Sequence, residues 1–296
     1  MTAGWVAGTV RAKAMARRVL GAEAARLVAA SRSLPQAQRI LQYTRYRDAA
    51  ETGLSLASAQ HAVAATTLWD LRVLAGWLPR DGVSLLRLLA GWFEIANVDE
   101  LLQVQAGLPA GPEFQLGALA TAWPRLREAR GTAGLRRALA TSAWGDPGGD
   151  TSKDIRLAMR ARWAARVAVS GDRARTWATA AAALLRSAAP TAPVTAATAG
   201  RSAADPRLSA MARLPSRGRP PASGLADQAA QPWEAEAGWW RHVESDGRVL
   251  LRSAATDSGP VLGAVAVMAA DARRVRAALA SAARGGQALE AYDALV

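Results

Sequence analysis

Six positions of this 296-residue chain recur at one constant spacing. Ala37, Arg39, Leu41, Thr44, Tyr46 and Asp48 return 98 residues later as Leu135, Arg137, Leu139, Ser142, Trp144 and Asp146. In both copies a helical stretch runs into a Thr or Ser, then an aromatic, then an acid. The repeated object is therefore a helix together with its stop. Each copy is followed by a long helical stretch that carries a tryptophan, Trp69 in the first and Trp163 in the second. Repeated units bury their apolar faces against one another, so repetition narrows the available folds more than local propensity does. A chain built this way is expected to be a shaped connector before it is an enzyme.

Alanine, leucine and arginine dominate, aromatics are scarce apart from 11 Trp, and alternating β-type runs are missing. The expected fold class is all-α. The chain carries 37 basic and 24 acidic residues, a net charge of +13. Such a surplus attracts nucleic acid, anionic lipid heads or an acidic partner. Only Lys13 and Lys153 are lysines, as a GC-rich coding bias would give, and the arginines are scattered with little aromatic material among them. A surplus spread over solvated helix faces is the preferred reading, ahead of a dedicated nucleic-acid face. With no Cys there is no disulfide framework and no thiolate metal site, and the cytoplasm is the expected compartment. Arg11, Lys13, Arg17 and Arg18 interrupt what would be the apolar core of a signal peptide, so none is read there. No uncharged apolar run reaches about 18 residues, and the longest, Val261 to Ala270, reads as a buried helix.

Along the chain, residues 5–31 read as one helix with a basic face, followed by a short helix from Pro35 to Tyr43. Long helices are expected over Leu54–Trp77 and, after Pro79 with Asp81 as N-cap, to about Ala106. Gly107 to Pro112 is a break, 114–123 and 132–142 read as shorter helices, and Trp144 to Asp150 is a Gly/Pro turn. Helices are expected at 152–169 and 173–188, at 233–243, and from Val261 to Arg284, where Gly285-Gly286 ends the last. The resulting division is a first helical unit at 1–96, a second at 97–188, a Pro/Ser/Arg-rich linker-like segment at 189–232, and a third, shortened unit at 233–296.

A second periodicity links distant helices. Glu94-x-x-Asn97-Val98-x-x-x-Leu102 recurs as Asp271-x-x-Arg274-Val275-x-x-x-Leu279. A helix near Val10 falls about half that interval earlier, while the stretch near residue 186 lacks both the acid and its polar partner. Three units with a degraded middle junction would fit.

Reactive groups are few. His61 lies within a long helix and reads as a core or surface residue. His242, Glu244 and Asp246 have no metal-ligand spacing and read as a solvated helix end. There is no GxSxG, no GxGxxG after a strand and no Walker A loop. Glu94 and Asp271 read as buried or half-buried acids that pair with Arg or cap a neighbouring backbone. No catalytic, cofactor-binding or metal-binding residue is expected, and no cofactor.

Taken in order, a set of motifs adds a more specific expectation. They are Val10-Arg11-Ala12-Lys13, the Leu41-x-x-Thr44-x-Tyr46 stop, and Leu86-x-x-Leu89 leading into Phe93-Glu94-Ile95-x-Asn97-Val98. Phe114-x-Leu116-Gly117, Val261-Leu262 and Asp271-x-x-Arg274-Val275-Arg276 complete them. The set, covering about two-thirds of the chain, resembles the C/d family of central-stalk proteins of V-type and A-type rotary ATPases. The resemblance implies an all-helical funnel or socket of three pseudo-repeated units that does no chemistry. Its partners would be the rotor shaft subunits at its mouth and the membrane ring subunits at its base. Its place would be cytoplasmic, peripheral at the membrane face, with no small-molecule substrate. The resemblance also suggests that helices 5–20, 86–104 and 262–279 line the cavity, with Arg11, Glu94, Asn97, Asp271 and Arg274 toward the shaft. Tyr46, Trp69, Trp92, Trp144, Trp163 and Trp240 would be the packing anchors that stiffen the body. The alternative is a basic helical protein that binds nucleic acid or an acidic protein partner.

Overall fold

A computed structural model describes residues 3–51, 53–187 and 232–296. Among these residues the secondary structure is helical throughout, with no strand. The helices are α1 (Ala3–Ala16), α2 (Ala22–Ala29), α3 (Leu34–Leu41), α4 (Leu56–Ala75), α5 (Arg80–Gln105), α6 (Trp123–Leu126), α7 (Gly131–Ala140), α8 (Ser152–Ala168), α9 (Asp172–Ser187), α10 (Pro232–Arg252), α11 (Ser258–Ala283) and α12 (Leu289–Leu295). The Pro/Ser/Arg-rich segment expected at 189–232 lies outside the described residues, apart from Pro232, the first residue of α10.

The chain divides into two compact units. One comprises residues 1–160 with 240–296, and the other residues 161–239. In the smaller unit, Ala164, Val167, Ala174 and Trp177 are buried, and the Trp239 indole N–H donates to the Trp177 carbonyl at 3.0 Å.

The larger unit is organised on α11. Its apolar run, Val261 to Met268, is buried almost throughout, and α11 packs on α1, α2, α3 and α4. Val275, Leu279 and Ala282 meet Val28, Leu41, Ala59 and Val63, joining the end of the chain to its beginning in one apolar core. Burial of that kind stabilises by about 25 cal/mol per Å² of apolar surface. The start of α11 is capped by Asp257, whose carboxylate accepts from the Gly259 N–H at 2.8 Å. Its end is the expected double-glycine stop. Gly285 and Gly286 have φ of 76° and 73°, and the Gly286 N–H donates to the Ser281 carbonyl at 3.1 Å.

Several elements differ from expectation, each for a local reason. Residues 5–31 are not one helix: α1 ends at Ala16 and α2 begins at Ala22, with Gly21 at φ 82° between them. The break frees the Leu20 and Gly21 N–H groups to donate to Asp271. The stretch 114–123 is not a helix either. Phe114 ties both its backbone groups to the Asn97 side chain, and only a single 3-10 turn at Gly117–Leu119 follows. Asp81 lies in the first turn of α5 instead of capping it, because the helix already begins at Arg80 after Pro79. α10 continues to Arg252, nine residues past its expected end, because Val243 and Asp246 stay buried and carry the helical pattern on.

Candidate functional site

The two sequence periodicities meet in space. Asp271, fully buried on α11, accepts from the Leu20 N–H and the Gly21 N–H, both at 2.9 Å, and from the Tyr46 hydroxyl at 2.8 Å. Glu94, fully buried on α5, accepts from the Thr121 N–H at 2.6 Å, the Ala122 N–H at 2.8 Å and the Trp144 indole N–H at 2.6 Å. In both places an acid of a long helix binds two consecutive backbone N–H groups and the aromatic that ends a short helix.

The stop itself is also repeated. The Thr44 hydroxyl donates to the Leu41 carbonyl at 2.8 Å and accepts the Tyr46 N–H at 3.1 Å. The Ser142 hydroxyl donates to the Leu139 carbonyl at 2.8 Å and accepts the Trp144 N–H at 3.0 Å. A Thr or Ser two residues before the aromatic thus turns the chain and aims the ring back at the acid. Either closure satisfies buried or half-buried backbone donors that would otherwise lose their partners within the chain. The expectation that these acids cap a neighbouring backbone matches this geometry.

The pseudo-equivalent polar partners diverge. Asn97 holds the backbone of Phe114 from both sides, at 2.9 Å and 2.7 Å. Arg274 instead lies 3.5 Å from Asp271 and pairs with Glu244, which also holds Arg248 at 2.5 Å. Burial first, and the Asp271 carboxylate second, push the Tyr46 hydroxyl well above its ordinary pKa, with Arg45 acting in the opposite sense.

Four of the five residues expected toward a shaft lie in the interior of the chain. Glu94, Asn97, Asp271 and Arg274 are all buried, and each binds another part of the same chain. Glu94, Asn97 and Asp271 lock helices to turns, and Arg274 joins α11 to Glu244 of α10. Arg11 is half-buried, with its guanidinium 5.8 Å from the centre of the Trp77 ring. Among the expected anchors, Tyr46 and Trp144 are buried, while Trp163 and Trp240 are half-buried. Trp69 and Trp92 are the exposed members of the set. They are 57% and 46% exposed because α4 buries the stripe of Ala59, Val63, Leu71 and Leu74, and α5 buries that of Leu86, Ala90 and Glu94.

His242, Glu244 and Asp246 are not a solvated helix end. They lie inside α10, where Glu244 and Asp246 are largely buried and His242 is 3.4 Å from Asp246. His61 stacks on Phe114, ring centres 4.2 Å apart, and burial holds its pKa below the ordinary value. Among the described residues, no three His, Cys, Asp or Glu side chains converge as a metal site would require. No helix of the described residues is long and apolar enough to cross a membrane.

One further group carries no signal in the sequence. Arg45, with its side chain only 4% exposed, pairs with Asp70 of α4, and Arg11 and Arg18 also act on that carboxylate. Burial raises the Asp70 pKa even against the three guanidiniums.

No protein-family model matches the chain, and no curated protein matches it.

Proposed function

We propose that this chain is a non-catalytic coupling component of a V-type or A-type rotary ATPase, seated between the central rotor shaft and the membrane ion-carrying ring. The observation that carries the reading is the paired closure of Asp271 on Tyr46 and of Glu94 on Trp144. Tyr46, Glu94 and Asp271 belong to the ordered motif set that resembles the C/d family of central-stalk proteins, Trp144 is the counterpart of Tyr46 in the repeat, and in both copies the acid performs the same mechanical task. Buried polar contacts at the middle of two long helices resist relative sliding, which a part that transmits torque requires. A funnel of three pseudo-repeated units is part of this proposal, with the two closures as two of its junctions.

The test is a tagged pull-down from gently solubilised membranes with mass spectrometry of the eluate. Shaft and ring subunits recovered in stable association support the proposal. An eluate without them overturns it. The net charge of +13 favours a second reading, a basic helical protein that binds nucleic acid through its phosphates. That reading requires affinity that falls steeply with salt, because condensed counterions are released on binding.

A further inference from the structure

α4 has a second face. Thr66, Trp69, Val73 and Trp77 follow one another at helical spacings of three and four, and all remain partly or largely in contact with solvent. Trp69 is 57% exposed and Trp77 49% exposed. Trp77 lies just past the end of α4, but its N–H still donates to the Leu74 carbonyl at 3.0 Å, so the stripe continues without a break.

A guanidinium stands beside each of these indoles. Arg72 is 5.2 Å from the centre of the Trp69 ring and Arg11 is 5.8 Å from that of Trp77. Arg72 is further held by the Gln115 carbonyl at 3.2 Å. Asp70, a carboxylate next to the stripe, is already matched by Arg45 and lies within the influence of Arg11 and Arg18. The face is therefore apolar along its middle and positive along its edge. Tryptophan and arginine are the side chains that most often dominate binding at protein interfaces.

We propose that the Trp69–Trp77 stripe of α4 is a docking surface for a single α-helix of a partner protein, with an apolar row flanked by carboxylates. Charge complementarity selects that occupant: glutamate or aspartate flanks pair with Arg72 and Arg11, and lysine or arginine flanks are repelled. The arginine-rich stretch of this chain around Arg213, Arg217 and Arg219 has the wrong charge for the role. The inference rests on the non-catalytic binding reading above and assigns to it a surface that the buried Glu94, Asn97 and Asp271 cannot provide.

The test uses the full chain in its own cells, with Thr66 and, separately, Val73 replaced by photoreactive benzoylphenylalanine. Cross-linked peptides are then identified by mass spectrometry. Adducts from both positions to one acidic helical segment are expected. Their yield is expected to fall about tenfold when Trp69→Ala and Trp77→Ala are added, and also with Arg72→Glu, which leaves both indoles in place. An adduct on the rotor shaft supports both proposals. One on an acidic helix of another protein supports the docking surface and removes the rotary role. Adducts on nucleic acid, lipid or a basic segment overturn the docking surface, as does no adduct or a yield that neither variant changes. The pull-down then reads the rotary proposal on its own.

Discussion

The Tyr46 hydroxyl donates a hydrogen bond to Asp271 at 2.8 Å, although 225 residues separate them in the chain. This bond, with the two N–H groups of Leu20 and Gly21, ties the first turn after α1 to the middle of α11. Hydrogen bonds to charged groups contribute about 1.5–3 kcal/mol each. Tyr46→Phe is therefore expected to destabilise by about 2 kcal/mol. Asp271→Ala, which strands two half-buried backbone donors and the buried hydroxyl together, is expected to lose more, about 3–5 kcal/mol. A double-mutant cycle by chemical denaturation checks this: the two changes should be strongly non-additive.

The second closure predicts a matching result. Trp144→Phe removes the indole donor to Glu94 and part of a buried side chain, so a loss of about 2–4 kcal/mol is expected. Coupling with Glu94→Gln should be similar in size to that between Tyr46 and Asp271. Equal coupling in both cycles would show that the repeat is energetic as well as geometric.

α10 and α11 cross at two glycines. A Cβ on Gly263 would lie 2.6 Å from the Gly247 carbonyl oxygen and 2.8 Å from the Leu250 Cβ. Replacing a helical glycine by alanine ordinarily gains about 1 kcal/mol. Overpacking against backbone costs about 1–3 kcal/mol, and here the close atom is a backbone oxygen that cannot rotate away. Gly263→Ala is expected to lower the thermal midpoint, whereas Ala at the half-buried Gly134, with no side chain nearer than 3.9 Å, should raise it slightly.

His61 sets a pH dependence. Burial depresses its pKa below 6.5, Glu100 acts in the opposite sense, and Arg276 adds to the depression. The unfolded chain therefore takes up this proton before the folded one does. The contribution is present above the ordinary histidine value and is lost as the pH falls through the window below it. Denaturant midpoints measured from about pH 8 down to about pH 5 should decline in the parent chain, and His61→Gln should flatten that part of the curve.

How much of this is legible in the chain depends on whether a pattern lies within one element or between two. The apolar run Val261–Met268 and the double-glycine stop follow from local chemistry and match the structure. The helix break at Gly21 does not show, because residues 11–20 have good helical propensity and the turn is imposed by Asp271 some 250 residues away. The same holds at Phe114, where Asn97 replaces the helical partners of the backbone. Both aromatics and both acids stand out as repeats, but neither spacing indicates that Tyr46 meets Asp271 while Trp144 meets Glu94. Trp69 departs from expectation because a large aromatic on a long helix reads as core, whereas the neighbouring positions Leu68 and Leu71 fill that face.

The most direct test of the coupling role is to measure ATP hydrolysis and ATP-driven ion uptake in membrane vesicles prepared with and without this chain. Hydrolysis is expected to continue without it while ion uptake is lost, and adding back the purified protein should restore uptake. Ion uptake that proceeds unchanged in vesicles lacking the chain would refute the coupling role.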